Sequence, residues 1–419
     1  MESARALARR SRKALRVLRQ SAHETRNKAL LAMADRLQQS AAIDSILEAN
    51  AKDLDAARHN DLAPALQERL MLNADRIQSI EQALRVIAAL PDPLGLVRTG
   101  YALQSGVQLR KLTVPLGVVF TIFESRPNVT IDIGALSLKS GNAAILRGGK
   151  EARYSNQSLH ALFQQAILSV GLPGDSVQLI TESDRAYMLA CLQLDDLIDI
   201  VVPRGGEALI RFTAEHSRIP VIKHDKGVCN LYIDRAADPE KAIAIAINSK
   251  LQRPSVCNAI ENLIIHTEYP HTQALLAKLA TAGARLLGPA DLARQYTDVS
   301  PIEADLLPTT YGTEFLDERL SVALVSHLDE ALDFIDRYGS GHSEGIVTED
   351  FSTAQRFQQG VDTAAILLNC STRFHDGGQM GMGAEVGIST GRLHVRGPMG
   401  LQDLVSTTYV LEGHGEVRP

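Results

Sequence analysis

Apolar positions in the first ninety residues recur every three or four places, which predicts amphipathic helices. Leu7, Leu15 and Leu18 fall on one face of the first segment, and the same spacing returns over 66–90. The run stops at 91–93, Pro-Asp-Pro, because proline cannot continue a helix. The amino-terminal part of the chain is therefore predicted to be helical.

The period changes after residue 100. Residues 101–111 mix polar and apolar positions around Gly106, which indicates a hairpin or an extended arm. Residues 115–123 are almost continuously apolar, as in a strand buried on both faces of a parallel sheet. Strands and helices then alternate, which predicts a doubly wound parallel sheet. The predicted strands cover 143–146, 177–180, 197–202, 219–222 and 231–233, and the predicted helices cover 156–170, 186–192 and 207–215.

A second alternation follows a predicted helix over 239–249 and indicates a second α/β domain that begins near residue 241. The chain tail contains a further strand candidate over 406–410. The predicted strands of this part cover 261–266, 284–287, 320–325, 345–347 and 364–368, and the predicted helices cover 272–282, 328–338 and 352–359.

Composition narrows the class of protein. The chain has 419 residues, of which 45% are hydrophobic and 22% charged, as in a globular enzyme of two or three domains. No apolar run approaches the ~18 residues of a membrane helix, and a net charge of −6 gives no basic surplus for nucleic acid. The arginine-rich first twenty residues fit either a mitochondrial targeting helix or a structural helix, and we expect the latter because helical patterning continues beyond them.

One of the four cysteines stands in a stretch with features of a reactive thiol. Ser255 is a helix-capping residue type, so a helix beginning there would place Cys257 in its first turn, where the helix dipole stabilises a thiolate. Lys250 and Arg253 add positive charge nearby. The alternative is an inert, buried cysteine. The cysteines form no CxxC pair, and their scarcity fits a reducing, cytoplasmic environment.

Two glycine-containing loops follow predicted strands, at 147–150 and 204–206, and ligands bind at such carboxyl ends of parallel sheets. No GxGxxG motif is present. Arg147 and Lys150 are suited to the 2′-phosphate of NADP, although a solvated turn explains the same residues. A long loop over 369–383 is typical of a functional segment. Its His375 and Asp376, with His394, lack metal-site spacing, whereas Arg373, Arg392 and Arg396 are suited to anionic groups.

Four separated stretches then make a family resemblance visible. The sequence resembles the aldehyde dehydrogenase superfamily and, within it, closely resembles the gamma-glutamyl phosphate reductase family, over nearly the whole chain. The stretches are Phe123-Glu124-Ser125-Arg126-Pro127-Asn128, Ser255-Val256-Cys257-Asn258-Ala259, Tyr338-Gly339-Ser340-Gly341-His342-Ser343-Glu344 and Gly383-Ala384-Glu385-Val386-Gly387-Ile388-Ser389-Thr390.

The resemblance implies an α/β, aldehyde dehydrogenase-like fold with two Rossmann-like three-layer α/β/α domains and an oligomerisation arm. Residues 1–97 and 113–240 would form the NADP(H)-binding domain. Residues 241–397 would form the catalytic domain with the nucleophilic cysteine. Residues 98–112 and 398–419 would form the arm and tail of a homodimer or homotetramer.

The resemblance also assigns roles to residues. Cys257 falls at the family's nucleophile. Lys150 replaces a glutamate found in NAD-preferring relatives, which favours NADP(H) by removing repulsion against a 2′-phosphate. The cofactor-binding candidates are Arg147, Gly148, Gly149, Lys150, Arg204, Gly205 and Gly206, the oxyanion candidates are Ser125 and Asn128, and the substrate-binding candidates are Arg126, Arg253 and Arg373. No metal is expected.

Two departures from hydrolytic aldehyde dehydrogenases are informative. The stretch His224-Asp225-Lys226-Gly227 lacks the glutamate that activates water, and Ser125 stands where those enzymes have an oxyanion-binding asparagine. An enzyme that passes an acyl group to or from phosphate needs no water base. The implied activity is NADPH-dependent reduction of L-glutamyl 5-phosphate to L-glutamate 5-semialdehyde in proline biosynthesis, with possible coupling to glutamate 5-kinase. A CoA-acylating dehydrogenase, a hydrolytic dehydrogenase and a non-catalytic nucleotide-binding protein are the alternatives.

Overall fold

A computed structural model describes residues 3–182, 184–222 and 226–418. Within these ranges, no helix is long and apolar enough to cross a bilayer. The helices in chain order are α1 Ala4–Leu18, α2 His23–Arg36, α3 Ser40–His59, α4 Pro64–Leu70, α5 Ala74–Ala89, α6 Asn128–Lys139, α7 Arg153–Ser169, α8 Arg185–Leu192, α9 Glu207–His216, α10 Pro239–Leu251, α11 Thr272–Thr281, α12 Ala290–Gln295, α13 Leu307–Tyr311, α14 Leu328–Tyr338 and α15 Phe351–Gly360.

The strands lie between these helices and at the end of the chain. They are β1 Val97–Ala102, β2 Gln108–Pro115, β3 Val118–Phe123, β4 Ala143–Gly148, β5 Val177–Leu179, β6 Ile200–Arg204, β7 Cys229–Ile233, β8 Ile260–His266, β9 Arg285–Pro289, β10 Val299–Ile302, β11 Arg319–Val325, β12 Ser343–Val347, β13 Ala365–Leu368, β14 Gly387–Ser389, β15 Gly397–Met399 and β16 Val405–Glu412.

The chain divides into two compact units. One comprises Met1–Lys223, Gly381–Gly387 and Met399–Pro419, and the other comprises His224–Met380 and Ile388–Pro398. The functional domain assignment from sequence, with its boundary at 240/241, remains a prediction.

The first unit is built on a parallel sheet with strand order β5-β4-β3-β6. Every residue of β3 is buried, as the continuous apolar run predicts. Helix α1 buries the predicted stripe of Leu7, Leu15 and Leu18. A separate antiparallel sheet, β1-β2-β16, confirms the predicted hairpin and joins it to the predicted tail strand.

One predicted strand of the first unit, over 219–222, is wrong. Val221 makes only an isolated bridge to Val201. Pro220 has no N–H, so it cannot extend a ladder of hydrogen bonds in this segment.

The second unit is built on a seven-stranded parallel sheet with order β10-β9-β11-β8-β7-β12-β13. Alternate residues of its central strands enter different cores. Leu231 and Leu263 pack in a core shared with α10 and α11, whereas Tyr232 and Ile264 pack in another shared with α14 and α15. Successive side chains of a strand point to opposite faces, so helices cover both faces of this sheet. This is the predicted three-layer α/β/α architecture.

Candidate active site

Cys257 lies in a turn between α10 and β8, and the predicted helix beginning at Ser255 is absent. The prediction failed because only a short segment separates Leu251 from Ile260, where β8 must begin to pair with Cys229 of β7. Pro254 also removes a backbone donor from this segment. The cysteine is half-buried in its turn, without the dipole of a helix that begins beside it.

The backbone of Gly227 lies close against the turn that contains Cys257. A Cβ at Gly227 would lie 2.6 Å from the Cα of Cys257 and closer still to its carbonyl oxygen. Real side chains do not tolerate such an approach to backbone atoms. Only glycine therefore allows the segment before β7 to lie against the cysteine.

The positively charged side chains near the Cys257 thiol are not the predicted pair of Lys250 and Arg253. Lys250 and Glu261 are both fully buried and pair across 2.5 Å, so the charge of Lys250 is committed to a carboxylate. Burial lowers the pKa of Lys250 and raises the pKa of Glu261 to about 7. Arg373 is the cation that interacts with Cys257, and Arg253 is a further charge in its surroundings.

Arg373 is held by a hydrogen bond from its Nε to Oε1 of Gln252, at 2.9 Å. Burial lowers its pKa, while Asp376 and Cys257 act in the opposite direction. Arg253 is exposed. The structure therefore brings two of the three predicted substrate-binding arginines to the surroundings of Cys257 within the second unit.

Two other arginines of the long loop have partners of their own. Arg396 binds Asp362 across 2.6 Å, and Arg392 forms an ion pair with the same carboxylate. This one carboxylate balances only one of the two positive charges, but it engages both guanidinium groups. Arg373 is the better candidate for an anionic ligand among the three.

A buried polar layer underlies the cysteine turn. Cys229 donates its S–H to the carbonyl oxygen of Cys257, with sulfur and oxygen 3.1 Å apart. Thr372 donates from Oγ1 to the carbonyl oxygen of Asn258 across 2.6 Å. Asn258 in turn donates from Nδ2 to the carbonyl oxygen of His375 across 3.0 Å. Hydrogen bonds from buried side chains thus hold the backbone on both sides of the Cys257–Asn258 peptide bond.

Glu344, from the recognised stretch 338–344, belongs to the same interior. Its Oε2 accepts hydrogen bonds from the backbone N–H and the side-chain amide of Asn230, at 3.2 and 2.7 Å. Burial raises its pKa well above the usual range, although the bonds from Asn230 act against that shift. This glutamate is completely buried, which suits a structural part better than proton exchange with solvent.

In the first unit, parallel pairing aligns the ends of three strands. Phe123 of β3 is in register with Gly148 of β4 and with Arg204 of β6. The loops after these strands therefore leave the same edge of the sheet. Both predicted cofactor loops and the stretch 123–128 meet there, at the edge where open α/β sheets bind ligands.

Two glutamates tie these loops together. Glu124 accepts a hydrogen bond from the N–H of Gly206 across 2.9 Å. Glu151 accepts from the N–H of Ser125 across 2.6 Å and from its hydroxyl across 2.9 Å. These carboxylates were not identified from the sequence, because their partners lie in other loops.

Ser125 is held in an unusual backbone conformation, with φ +42°. Left-handed φ is costly for a serine, so the two bonds to Glu151 offset a local strain. Its hydroxyl proton is engaged by that carboxylate. As an oxyanion candidate, Ser125 is thus pre-ordered but already has an acceptor.

The second oxyanion candidate, Asn128, begins α6 and donates from Nδ2 to Oδ2 of Asp132 across 2.8 Å. Burial raises the pKa of Asp132 to about 6, while Asn128 and the charge of Arg204 counter the shift. The candidates from the sequence thus lie in a small polar cluster with an acid that was not predicted.

The glycines of the cofactor loops have different roles. A Cβ at Gly148 would collide with Asn156, and one at Gly149 with Glu151. Gly206 precedes α9 and has open space where a Cβ would stand. Arg147 is half-buried, and burial lowers its pKa, whereas Lys150 is exposed.

The geometry described above does not bring together all of the residues predicted from the sequence. Arg126 lies in the first unit, with Ser125, whereas Arg253 and Arg373 lie in the second. His224 and Asp225, of the stretch predicted to lack a water-activating glutamate, lie outside the described residues. Across the described part of the chain, no group of three or more His, Cys, Asp or Glu side chains is arranged to hold a metal ion.

Comparison with known proteins identifies the family. No protein-family model matches the chain. A curated gamma-glutamyl phosphate reductase from Leptospira interrogans serovar Lai is 54% identical over 413 residues, which cover 98% of each chain. The crystal structure of gamma-glutamyl phosphate reductase from Thermotoga maritima covers both chains completely at 37% identity, with a TM-score of 0.95.

The fold extends to more distant proteins. An acetylating aldehyde dehydrogenase from Geobacillus thermoglucosidasius matches 99% of this chain and 97% of its own, at 16% identity and a TM-score of 0.71. The predicted aldehyde dehydrogenase-like architecture is thereby confirmed. The chain belongs to the gamma-glutamyl phosphate reductase family.

Proposed function

We propose that the chain catalyses the NADPH-dependent reduction of L-glutamyl 5-phosphate to L-glutamate 5-semialdehyde and phosphate, in proline biosynthesis from glutamate. Family membership makes the chain an oxidoreductase of the aldehyde and acyl-phosphate class. The observation that carries the specific proposal is the half-buried thiol of Cys257 in a tightly fixed turn, in electrostatic interaction with Arg373.

The chemistry assigned to Cys257 follows from the substrate. As a thiolate, its sulfur attacks the acyl carbon of the acyl phosphate, and the C–O bond to phosphate breaks, which leaves a thioester. Phosphate is a good leaving group, so a strong general acid is not required. After the acyl carbon has been reduced to the aldehyde level, release of the semialdehyde breaks the C–S bond and returns its electron pair to sulfur.

The cations near Cys257 suit an anionic substrate. Arg373 is oriented by Gln252, and a planar guanidinium binds a phosphate or carboxylate with two parallel hydrogen bonds. Arg253 adds a second charge in the same unit. We assign these two residues, with Arg126, to the phosphate and the α-carboxylate without dividing them further.

The loops of the first unit suit NADP(H). Arg147, Lys150 and Arg204 supply three cations at one sheet edge, which fits the phosphates of the cofactor. Gly206 precedes α9, whose N-terminal dipole favours an anion, although the N–H of Gly206 itself already donates to Glu124. When bound, NADP(H) supplies the hydride that brings the acyl carbon to the aldehyde level.

Hydrogen bonds between the loops at the predicted cofactor-binding edge of the sheet fix these loops without a bound ligand. Glu151 fixes Ser125, and Glu124 fixes the loop at Gly206. Pre-ordered donors at a reacting centre reduce the reorganisation that a reaction requires. We assign binding to the cations of this edge and oxyanion stabilisation to Ser125 or Asn128. In the second unit, the N–H of Cys257 is a further oxyanion candidate.

A CoA-acylating dehydrogenase is the second candidate, because a thioester-forming cysteine without a water base fits both chemistries. The decisive assay runs the reaction in reverse, with glutamate 5-semialdehyde and NADP⁺. We expect NADP⁺ reduction to require phosphate. Reduction that instead requires coenzyme A would assign the chain to the alternative.

The role of Cys257 has its own test. Cys257→Ala should abolish reduction and leave NADPH binding, measured by fluorescence titration, close to that of the parent. Cys370→Ala is the matched control, since that thiol is also half-buried and lies in the same unit. Substantial turnover by Cys257→Ala would contradict the nucleophile assignment.

The predicted assembly and location follow from the same proposal. A homodimer or homotetramer formed through the β1-β2-β16 arm, a cytoplasmic location and functional coupling to glutamate 5-kinase are proposed here on family grounds. Analytical ultracentrifugation of the intact chain and of variants in the arm measures the molecular mass and so tests the predicted oligomeric state.

A further inference from the structure

Six buried or half-buried residues form a closed circuit of polar contacts beneath the proposed nucleophile. Cys229 contacts the carbonyl oxygen of Cys257, and the chain itself joins Cys257 to Asn258. Asn258 binds the carbonyl oxygen of His375. The circuit, called here the buried polar ring, comprises Cys229, Cys257, Asn258, His375, Ser343 and His342.

Three contacts close the ring on its other side. Oγ of Ser343 lies 2.8 Å from Nδ1 of His375 and 2.8 Å from Nδ1 of His342. Nδ1 of His342 lies 3.6 Å from the sulfur of Cys229. All of these side chains except that of Cys257 are buried.

The protons of the ring can be assigned from its contacts. Burial lowers the pKa of His375 to about 4, so its imidazole is neutral and Nδ1 either accepts or donates, but not both. Ser343 has one proton to give, so one histidine must donate to it while the other accepts. With the Cys229 proton on the Cys257 carbonyl, the self-consistent arrangement places a proton on Nδ1 of His342 and none on Nδ1 of His375.

Cys229 is the member that touches the backbone of the nucleophile. Burial raises the pKa of its thiol well above the usual range, and the charges of Glu344 and Cys257 act in the same direction. It therefore stays a neutral thiol with a proton to donate. A second nucleophile at this position would need the opposite shift.

We propose that Cys229 is a positioning residue, whose S–H bond to the Cys257 carbonyl, backed by the buried polar ring, holds the nucleophile's turn in its reactive geometry. The role follows from the position of the contact. Cys257 sits in a turn rather than a helix, and Cys229 from β7 donates to its carbonyl oxygen, while the loop after β13 binds the neighbouring Asn258. A displacement of about 1 Å at a reacting atom costs as much as 100-fold in rate.

This inference rests on the proposed function of Cys257, and its test separates the two. The variants are Cys229→Ala, which removes the donor, and Cys229→Ser, which keeps a donor of smaller size. Cys370→Ala is the control, because it removes a thiol of the same unit outside the ring. Each is made in the full chain and compared by steady-state kinetics of phosphate-dependent NADP⁺ reduction.

We expect kcat of Cys229→Ala to fall about tenfold, the equivalent of one lost hydrogen bond, with KM for the semialdehyde within about twofold. Cys229→Ser should recover most of that loss, whereas a purely space-filling role would make serine no better than alanine. Hydrogen exchange of the peptide 252–259, measured by mass spectrometry, should accelerate in Cys229→Ala and return towards the parent rate in Cys229→Ser.

The results that would contradict the positioning role of Cys229 differ from those that would contradict the proposed function. Parent-like kcat and exchange in Cys229→Ala, or no recovery by serine, would overturn the positioning role while leaving the proposed function intact. If Cys257→Ala retains turnover, that result contradicts the proposed role of Cys257 and does not depend on Cys229. The exchange measurement needs no turnover, so it still decides whether Cys229 holds the turn.

Discussion

Both hydrogen-bond donors of Ser125 converge on one oxygen of Glu151, at 2.6 Å from the backbone nitrogen and 2.9 Å from the hydroxyl. Because Ser125 has φ +42°, this carboxylate stabilises a conformation that the residue would otherwise avoid. The relationship links the loop after β3 to the segment that follows the cofactor loop of β4.

Replacing Glu151 with alanine should release that conformation. Hydrogen bonds to a charged acceptor contribute about 1.5–3 kcal/mol, so we expect the free energy of unfolding to fall by about 2 kcal/mol. Urea titration followed by circular dichroism measures it. Glu349→Ala, which removes an exposed partner of Lys241, serves as control and should cost less than about 1 kcal/mol. Equal losses in the two variants would contradict the role of Glu151.

Gly227→Ala should displace the cysteine turn. The added Cβ would lie 2.6 Å from the Cα of Cys257, where only backbone can move. We expect kcat to fall by about 100-fold or more, since the reacting sulfur moves with its backbone. Gly312→Ala is the matched control, because its Cβ would meet its nearest atom at 3.5 Å. Parent-like kcat in Gly227→Ala would show that the turn adapts without loss.

Lys150→Glu should change the cofactor preference. An exposed cation facing a 2′-phosphate favours NADPH, and a carboxylate in its place repels that phosphate. We expect KM for NADPH to rise about tenfold, whereas KM for NADH should change little. Lys278→Glu makes the same charge change at an exposed site of α11 and should leave both values unaltered. An equal effect on both cofactors would remove Lys150 from 2′-phosphate recognition.

His375 should make folding stability depend on pH. Its pKa falls from 6.5 to about 4 through burial, so below about pH 6.5 the unfolded chain binds a proton that the folded chain does not. This contribution is complete above pH 6.5 and is lost as the pH falls towards 4. It amounts to about 3 kcal/mol at most.

The measurement is urea unfolding at pH 7 and pH 5. We expect His375→Asn, whose side-chain oxygen can still accept from Ser343, to lose less stability than the parent between these values. His59→Asn, at an exposed site, should keep the parent's dependence. An unchanged pH dependence in His375→Asn would show that other groups account for it.

The sequence predicted the sheets well because apolar periodicity depends on burial, and a buried strand such as β3 contains little but apolar residues. A motif singled out Cys257 as the candidate nucleophile, and that role remains a prediction. The sequence did not predict the local structure around that cysteine. Ser255 is a good capping residue, but Pro254 and the register of β8 against β7 decide the geometry.

The residues that support the site were harder to identify. Glu151 is 26 positions from Ser125, and Cys229 is 28 positions from Cys257. Contacts at such separations leave no periodic pattern. A signal existed for His342 and Ser343, since both lie in the stretch 338–344, yet nothing in one sequence indicates that this stretch packs below the cysteine turn.

The antiparallel sheet β1-β2-β16 has a consequence for how the chain is made. Strand β2 pairs along its length with β16, and Asn142 donates to the carbonyl oxygen of Leu404 across 2.7 Å. Strand β16 is synthesised 290–304 residues after its partners in β2, and Leu404 is synthesised 262 residues after Asn142. During translation β2 therefore keeps an open edge, a template for mispairing between nascent chains, while the second unit already has its complete seven-stranded sheet. The first unit therefore cannot complete its antiparallel sheet until the segment containing β16 has been made.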